Sequence, residues 1–411
     1  MIYGCIGEHL SHSFSKEIHE MIHGYPYEIK EIPKDSFSDF MKASDFRGIN
    51  VTIPYKQDVI PYMYQLDDKA KKIGAVNTVV NRCGKLYGYN TDFEGMCALA
   101  KKANITFSGK KVLILGSGGT SKTATCVSET LGASSVYKLS RNPQNDAISY
   151  EKAYSEHSDA NVIINTTPCG MYPKPNAIPI DLDRFGDLEG VIDAVYNPLS
   201  TRLVMEAARR GIRSIGGLYM LVAQAVFAAE KFTGEKYGES LIDKVYEEIK
   251  YKKENIVLIG MPGCGKSTVG KILSQELGKC FIDTDIVITE RYGEPQNIIK
   301  EKGIEYFRKI ESEVIDEVSN LSGAVISTGG GSVLLSENVY RLKQNGKLYF
   351  IDRALKDITP TDDRPLSSTK ESLENLYKER YGVYSSACDF KIEVNGDACS
   401  VASEIMKGKI Q

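Results

Sequence analysis

The sequence predicts an α/β protein made of two consecutive units. Three observations predict it. Apolar strand-like stretches alternate with stretches of helical spacing along the chain. Two glycine-rich turns each follow such a strand and open a helix. The second of these turns begins only at Gly260 of 411 residues, too late to belong to the first unit.

Residues 2–6 and 48–53 read as buried strands, and 15–21, 36–42 and 94–103 as helices. Residues 110–115 form a strong apolar strand running into Gly116, Ser117, Gly118, Gly119, Thr120 and Ser121, with a helix through Leu131. This loop begins like G-x-G-x-x-G, a turn that lets backbone approach a pyrophosphate at a helix N-terminus. The next strand, 135–139, ends at Ser140-Arg141, where an NAD-binding unit would place Asp or Glu. Arginine there suits a 2′-phosphate, hence NADP, although a solvated surface charge reads the same way. Strands at 161–165, 191–194 and 214–215, a helix at 201–210 and a long apolar helix at 218–232 follow. Leu241, Val245, Tyr246 and Ile249 recur at helical spacing, and 251–254 (YKKE) reads as the linker.

The stretch GMPGCGKST, 260–268, fits G-x-x-x-x-G-K-[ST], with an apolar strand (255–259) before it and helical spacing after it. Backbone amides of such a loop wrap phosphate oxygens, Lys266 reaches the β/γ-phosphates and the Ser267 hydroxyl ligates Mg2+. Beyond it come a strand at 280–282, Asp283-Thr284-Asp285, helices through 320, a strand at 324–327 and Gly329-Gly330-Gly331. Strands at 347–351 and 391–394 and helices near 371–381 and at 401–407 complete the pattern. Residues 359–368, polar and carrying Arg364, read as a mobile loop.

Composition excludes several classes. At 42% hydrophobic, 26% charged and net charge −3, the chain has no nucleic-acid footprint. Nine scattered cysteines without a C-x-x-C pair suggest free thiols in a reducing cytoplasm. The start lacks the features of a signal peptide, and no 18-residue apolar run would cross a membrane. Oligomeric state is left open.

Polar clusters in the first unit fall near strand ends, where ligands of α/β sheets sit: residues 11–15, 50–56, 74–78 and 90–92. Hydroxyls, amides, one Lys and one Asp suit a polyhydroxylated substrate and a proton-transfer pair, though turns and caps use the same residues.

Taken together these clusters are recognisable. Residues 1–250 resemble shikimate dehydrogenase through GEHLSHSFSKEIH, GINVTIPYK, GAVNTV, GYNTD, GSGGTSKTA, SRN, NTTPCGM, AVYNP and GLYMLVAQAVFAAEKFTG. Residues 255–394 resemble shikimate kinase through GMPGCGKST, FIDTD, GIEYFRKIE, STGGG, RPL and ERYGVYSSACD. The resemblance implies a bifunctional fusion. Its two-subdomain dehydrogenase (1–105 with 217–250 for substrate, a Rossmann-like 106–216 for NADP) precedes a P-loop kinase domain with a parallel sheet and a lid (255–411).

For the first unit the resemblance implies reduction of 3-dehydroshikimate to shikimate by NADPH. Lys56 would be the general acid/base and Asp92 its partner. Ser13 and Ser15 would hold the substrate carboxylate, and Thr52, Asn77 and Gln224 the hydroxyls, with Tyr196 nearby. Gly116 to Thr120, Ser140, Arg141, Ala194 and Gly217 would line the cofactor site. For the second it implies ATP-dependent phosphorylation of the shikimate 3-hydroxyl. Gly263, Cys264, Gly265, Lys266, Ser267 and Thr268 would bind ATP, with Ser267 and Asp283 holding Mg2+. Asp285 would orient the attacking hydroxyl, Arg308 and Arg380 would clamp the carboxylate beside Gly330, and Arg364 would close over the phosphates.

Departures from the family pattern are His9 and Lys16 for prolines, Phe93 for glycine, Phe232 for tryptophan and Ile304 for glutamate. Only Arg141 is basic in SRNPQN, and no basic residue stands just before Thr359. Two other readings remain beside the main one. The first unit would use quinate or NAD, or the second would be a nucleotide-binding regulatory module, against which its intact Lys, Ser, Asp and Arg set speaks.

Overall fold

The computed structural model describes residues 2–10, 14–144, 146–359 and 369–408. Two units divide the chain, Met1–Ile249 and Lys250–Gln411. Ser13 and Arg364 lie outside the described residues, as does most of the expected loop at 359–368.

The first unit carries two six-stranded sheets. One is mixed, in the order Tyr27–Glu31, Tyr3–Gly7, Gly48–Val51, Thr78–Arg82, Lys85–Tyr89, Gln65–Leu66. Its first three strands are parallel, which requires crossovers, and helices Ser15–His23 and Lys34–Ala43 supply them. Thr78–Arg82 runs antiparallel to both neighbours. Its hairpin closes on Cys83 and Gly84, both with positive φ (52° and 80°), as a twist-matched two-residue turn demands. Helix Thr91–Lys102 leaves the hairpin and packs on Leu218–Thr233. A Cβ on Gly95 would come 2.9 Å from the Met220 carbonyl oxygen, so glycine permits this close crossing.

The other sheet is wholly parallel: Arg213–Ile215, Gly190–Asp193, Val162–Asn165, Lys111–Leu115, Ser135–Leu139, Ala147–Ile148. The chain enters at Lys111–Leu115, winds outward, then returns to Val162–Asn165 on the other side. That reversal opens a crevice at the strand carboxyl ends. Along the entering strand, Val112 and Ile114 face one core and Leu113 and Leu115 another, as a strand buried on both faces must. The first core is continuous across the unit, joining Val112 and Ile114 to Met96, Leu99, Val222 and Val226. Phe232 is buried within it.

The second unit has one parallel sheet, Cys280–Asp283, Ala324–Ser327, Asn255–Ile259, Gly346–Asp352, Phe390–Glu393. The first strand in the chain is central, and its Ile256, Val257, Leu258 and Ile259 are fully buried.

Three expectations are corrected. The strand at 48–53 stops at Val51, because residues 52–55 turn, with the Tyr55 amide donating to the Thr52 carbonyl. Ile53 is thereby left 77% exposed. The linker at 251–254 is helical almost throughout, since helix Glu239–Lys253 runs on to its last residue but one. Its final carbonyls are capped from within the second unit: Lys279 Nζ donates to the carbonyls of Tyr251, Lys252 and Glu254 at 3.1, 2.9 and 3.1 Å. A helix that gains such a cap has no reason to unwind early. The helix near 371–381 is longer, Lys370–Ala387, and opens with a capping box from Thr369 and Ser372. Among the described residues no helix is long and apolar enough to cross a membrane.

Candidate active sites

In the first unit a cavity of about 540 Å3 opens at the carboxyl ends of the mixed sheet. Ser15, Thr52, Lys56, Asn77, Asp92, Tyr196 and Gln224 all line it, so the structure gathers every described substrate-site residue named above. Lys56 Nζ donates to Asp92 Oδ2 at 2.6 Å, both side chains largely buried. Asp92 sits in the first turn of helix Thr91–Lys102, where a carboxylate is favoured by the helix dipole.

Behind this pair runs a chain of hydrogen bonds with one polarity. The Tyr27 hydroxyl donates to Asn50 Oδ1 (2.6 Å), and Asn50 Nδ2 donates to Thr78 Oγ1 (3.1 Å). Thr78 Oγ1 donates to Asn77 Oδ1 (3.1 Å), and Asn77 Nδ2 donates to Asp92 Oδ1 (2.9 Å). The Thr91 amide also donates to Asn77 Oδ1, at 2.7 Å, fixing which way that amide points. Asn77 thus holds one Asp92 oxygen while Lys56 meets the other. Burial pushes the Tyr27 phenol well above its usual range, so it stays a donor. It likewise pushes the Cys5 thiol beside the cavity up to about 12, against the opposing field of Lys56.

The cofactor residues divide. Gly119, Thr120, Ala194 and Gly217 line the same cavity; Gly116, Ser117, Gly118, Ser140 and Arg141 lie outside it. These five follow the neighbouring strands Lys111–Leu115 and Ser135–Leu139. The loop fits a dinucleotide. Gly116 has φ 105°, Gly118 and Gly119 face open room that a side chain would fill, and helix Gly119–Thr130 has no side-chain cap on its first amides. A Cβ on Gly217 would lie 2.2 Å from the Ala194 carbonyl oxygen. Arg141 is exposed at its strand end.

In the second unit a cavity of about 830 Å3 lies over the sheet's carboxyl edge. Gly263, Gly265, Lys266, Ser267 and Thr268 line it, as do Asp283, Asp285, Arg308, Gly330 and Arg380. Cys264 is buried behind the loop instead, its side chain 3.9 Å from Lys266 Nζ. The loop bends at Gly260, Gly263 and Gly265 (φ 144°, 80°, 102°), and helix Lys266–Leu277 starts without a side-chain cap, leaving amides for phosphate. Lys266 Nζ rests on the Gly260 and Met261 carbonyls at 2.9 and 3.0 Å. The Ser267 hydroxyl donates to Asp283 Oδ2 at 2.6 Å, and Asp283 Oδ1 accepts from the Asp285 amide at 3.0 Å. One hydroxyl and one carboxylate are the sparse oxygen set that Mg2+ accepts alongside substrate phosphates. Among the described residues no cluster of three His, Cys, Asp or Glu side chains forms a metal site by itself.

The glycine run 329–331 is explained by crowding. A Cβ would meet Asp285 Oδ1 at Gly329 (2.7 Å), the Pro262 ring at Gly330 (2.8 Å) and the Arg308 guanidinium at Gly331 (2.1 Å). Arg308 Nη1 pairs with the buried Glu311 at 2.6 Å, and Glu311 also accepts from the Ser332 hydroxyl at 2.9 Å. Arg380 donates through Nη1 to the Gly330 carbonyl (3.0 Å), which the Tyr384 hydroxyl also reaches; the buried Arg380 Nε has no partner among the described residues.

Sequence reasoning missed Tyr27, Cys5, His9 and Met171 in the first site, and Glu311 and Arg353 in the second; Asn50 it held only within the polar cluster 50–56. Cys5 and Asn50 face each other across neighbouring parallel strands near their ends, a position where ligands sit, but the pairing is visible only once the sheet order is known. Glu311 stands three residues after Arg308 on helix Ile304–Ser319, a spacing that could have flagged it.

Comparison with known proteins agrees with this division. The family model for the shikimate dehydrogenase substrate-binding domain matches residues 5–79, and that for shikimate kinase matches 262–408. The shikimate dehydrogenase (NADP(+)) of Clostridium perfringens strain 13 is 34% identical over 274 residues, covering 61% of this chain and 98% of the relative. A chorismate mutase/shikimate 5-dehydrogenase fusion protein from Clostridium acetobutylicum matches in structure with TM-score 0.58 and 34% identity, over 61% of this chain and 97% of that one. The shikimate 5-dehydrogenase of Thermus thermophilus, solved in complex with NADP(H) and shikimate, matches with TM-score 0.55 and 29% identity, over 60% of this chain and 99% of that one. The chain belongs to the shikimate dehydrogenase family through its first unit and carries a shikimate kinase domain in its second, so that it reduces 3-dehydroshikimate with NADPH and phosphorylates shikimate with ATP, consecutive steps of aromatic amino acid biosynthesis.

Proposed function

We propose that the reduction is run by the Lys56–Asp92 pair and the phosphorylation by the 260–268 loop with Asp283, Asp285, Arg308 and Arg380. The observation that carries the first assignment is the 2.6 Å contact between Lys56 and Asp92 in a cavity that also touches the cofactor loop at Gly119 and Thr120. NADPH supplies the hydride. Lys56 delivers a proton to the substrate oxygen as the hydride reaches the carbonyl carbon, turning C=O into CH–OH. Asp92, held by Asn77, keeps the ammonium aimed and takes a substrate hydroxyl. Thr52 and Gln224 bind other hydroxyls, Tyr196 packs beside them, and Ser15 holds the carboxylate together with Ser13. Arg141 reads the 2′-phosphate of NADP at the end of its strand, beside Ser140.

In the second unit, Asp285 orients the attacking hydroxyl and accepts its proton as the new O–P bond forms and ADP leaves. Ser267 and Asp283 would hold Mg2+, which would supply positive charge against the phosphates. Arg308 and Arg380 take the carboxylate, a task matched to a planar guanidinium. Arg364 supports the transferring phosphoryl group. We further place the protein in the cytoplasm, since nine free thiols suit a reducing compartment. One experiment tests the whole assignment: 3-dehydroshikimate, NADPH and ATP-Mg are supplied to the wild type, Lys56→Ala and Asp285→Asn chains and the products are identified. Shikimate accumulation by Asp285→Asn and no reduction by Lys56→Ala are expected. A Lys56→Ala chain that still oxidises NADPH at full rate removes Lys56 from the mechanism.

A further inference from the structure

Arg353 follows the last residue of strand Gly346–Asp352 and lines the cavity of the second unit, yet it has no role in the phosphorylation as assigned. Its Nε donates to the Cys264 carbonyl at 3.2 Å. Its Nη2 lies 3.6 Å from the point a Cβ on Gly265 would occupy. The guanidinium therefore stands at the rim of the loop, next to the uncapped start of helix Lys266–Leu277. The nearest carboxylate in sequence, Asp352, is already committed: Lys391 Nζ pairs with its Oδ2 at 3.0 Å, and the Tyr381 hydroxyl donates to the same atom at 3.2 Å. Among the described residues no carboxylate forms an ion pair with Arg353. A half-buried cation whose four other N–H donors meet no acceptor among the described residues, in a cavity that must take a polyphosphate, is a ligand-binding group.

The other cations lining this cavity are engaged differently. Arg308 is held by Glu311 beside the glycine run, and Arg380 by the Gly330 carbonyl. Lys266 and Arg353 are the two that rest on carbonyls of the loop itself.

We propose that Arg353 is a nucleotide-binding residue that places its guanidinium on the polyphosphate of ATP and ADP. Binding exchanges nothing costly: Nε keeps the Cys264 carbonyl and brings the Nη groups to phosphate oxygens, a charge-assisted and geometrically matched contact. The inference rests on the nucleotide lying in the 260–268 loop. Full-length Arg353→Gln and Arg353→Lys chains, with Lys266→Ala as reference, are titrated with ATP, ADP, adenosine, inorganic tripolyphosphate and shikimate, and thermal midpoints are recorded. The expected result is a rise of about tenfold in Kd for ATP, ADP and tripolyphosphate in Arg353→Gln, the scale of one charge-assisted hydrogen bond. Partial recovery is expected in Arg353→Lys, with adenosine, shikimate and the midpoint unchanged. Unchanged ATP affinity overturns the proposal, provided Lys266→Ala loses ATP; if neither variant does, the loop itself is misread. Weakening of ATP without weakening of tripolyphosphate assigns Arg353 to the base and also overturns it. A parallel loss of shikimate affinity and thermal midpoint makes Arg353 a brace for the loop, and the proposal fails.

Discussion

The two active sites hold their charged groups in opposite ways. In the dehydrogenase site the key cation is paired to a carboxylate, and that carboxylate is fixed from behind by Asn77, Thr78, Asn50 and Tyr27 in sequence. In the kinase site Lys266, Arg353 and Arg380 rest on neutral backbone carbonyls. Among the described cations there, Arg308 alone has a carboxylate, the buried Glu311. The difference fits the tasks proposed for the two sites. Proton transfer needs one geometry and one set of protonation states, so the donor is locked by a network. Anion binding needs cations whose resting partners are weaker than the incoming phosphate or carboxylate, and a carbonyl is easily displaced by a charged acceptor.

The largest effect that sharpens this contrast is expected from Lys56→Ala. It should cut NADPH oxidation by at least about a hundredfold, the usual scale of an acid/base group, while phosphorylation of added shikimate stays within about twofold. Steady-state assays of both activities on one preparation decide it; a fall in both would mean that the sites are not independent.

The next test is internal to the kinase site. Arg308→Ala strands the Glu311 carboxylate, which is 1% exposed, and should cost the fold about 3–5 kcal/mol. Arg380→Ala leaves the Gly330 carbonyl its contact with Tyr384 and should weaken shikimate binding by about tenfold or more with little loss of stability. Denaturant unfolding and shikimate titration separate the two; equal destabilisation would remove the distinction between locked and parked cations.

Arg141→Ala should weaken NADP(H) about tenfold and leave NAD(H) nearly as before, as one charge-assisted contact to the 2′-phosphate predicts. Equal losses with both cofactors would show that Arg141 does not discriminate between them.

The smallest effect distinguishes the units by acid. All five histidines precede residue 250, and His19 is fully buried, stacked on Tyr27 at 4.0 Å with its Nδ1 2.6 Å from the Tyr25 hydroxyl. Burial lowers its pKa from 6.5 to about 3. The unfolded chain therefore binds a proton that the native one excludes. Stability from this site is full above pH 6.5 and is lost as pH falls from there toward 3, at about 1.4 kcal/mol per pH unit. Between about pH 7.5 and pH 5, a window spanning the unfolded pKa, the thermal inactivation midpoint of the reductase should fall more than that of the kinase. Matching declines would argue against His19 as the cause.

Much of this architecture is legible in the sequence. Strands such as 110–115 and 255–259, and the loops after them, declare themselves because apolar runs and glycine spacing are local properties. The hairpin Thr78–Arg82/Lys85–Tyr89 is harder to see, although Cys83-Gly84 between alternating residues is a turn signal, because the polar groups at its ends dominate the pattern. The linker is deceptive for another reason. YKKE carries no breaker, and its helical state depends on Lys279, a later residue that caps it.

The order of the two units and the phosphate loops follow from the amino-acid order alone, since each rests on spacing within a few residues, while the groups assigned to substrate come from the family resemblance that the motifs carry. Which distant groups meet is a property of the folded chain. Asp92 receives Lys56 across 36 positions, and Tyr27 secures Asn50 across 23, because the sheet sets side by side strands that the chain separates. Lys391, on the neighbouring strand Phe390–Glu393, pairs with Asp352, and among the described residues no carboxylate pairs with the adjacent Arg353. Competition for a counterion is settled by which strands are neighbours, and no local pattern records it.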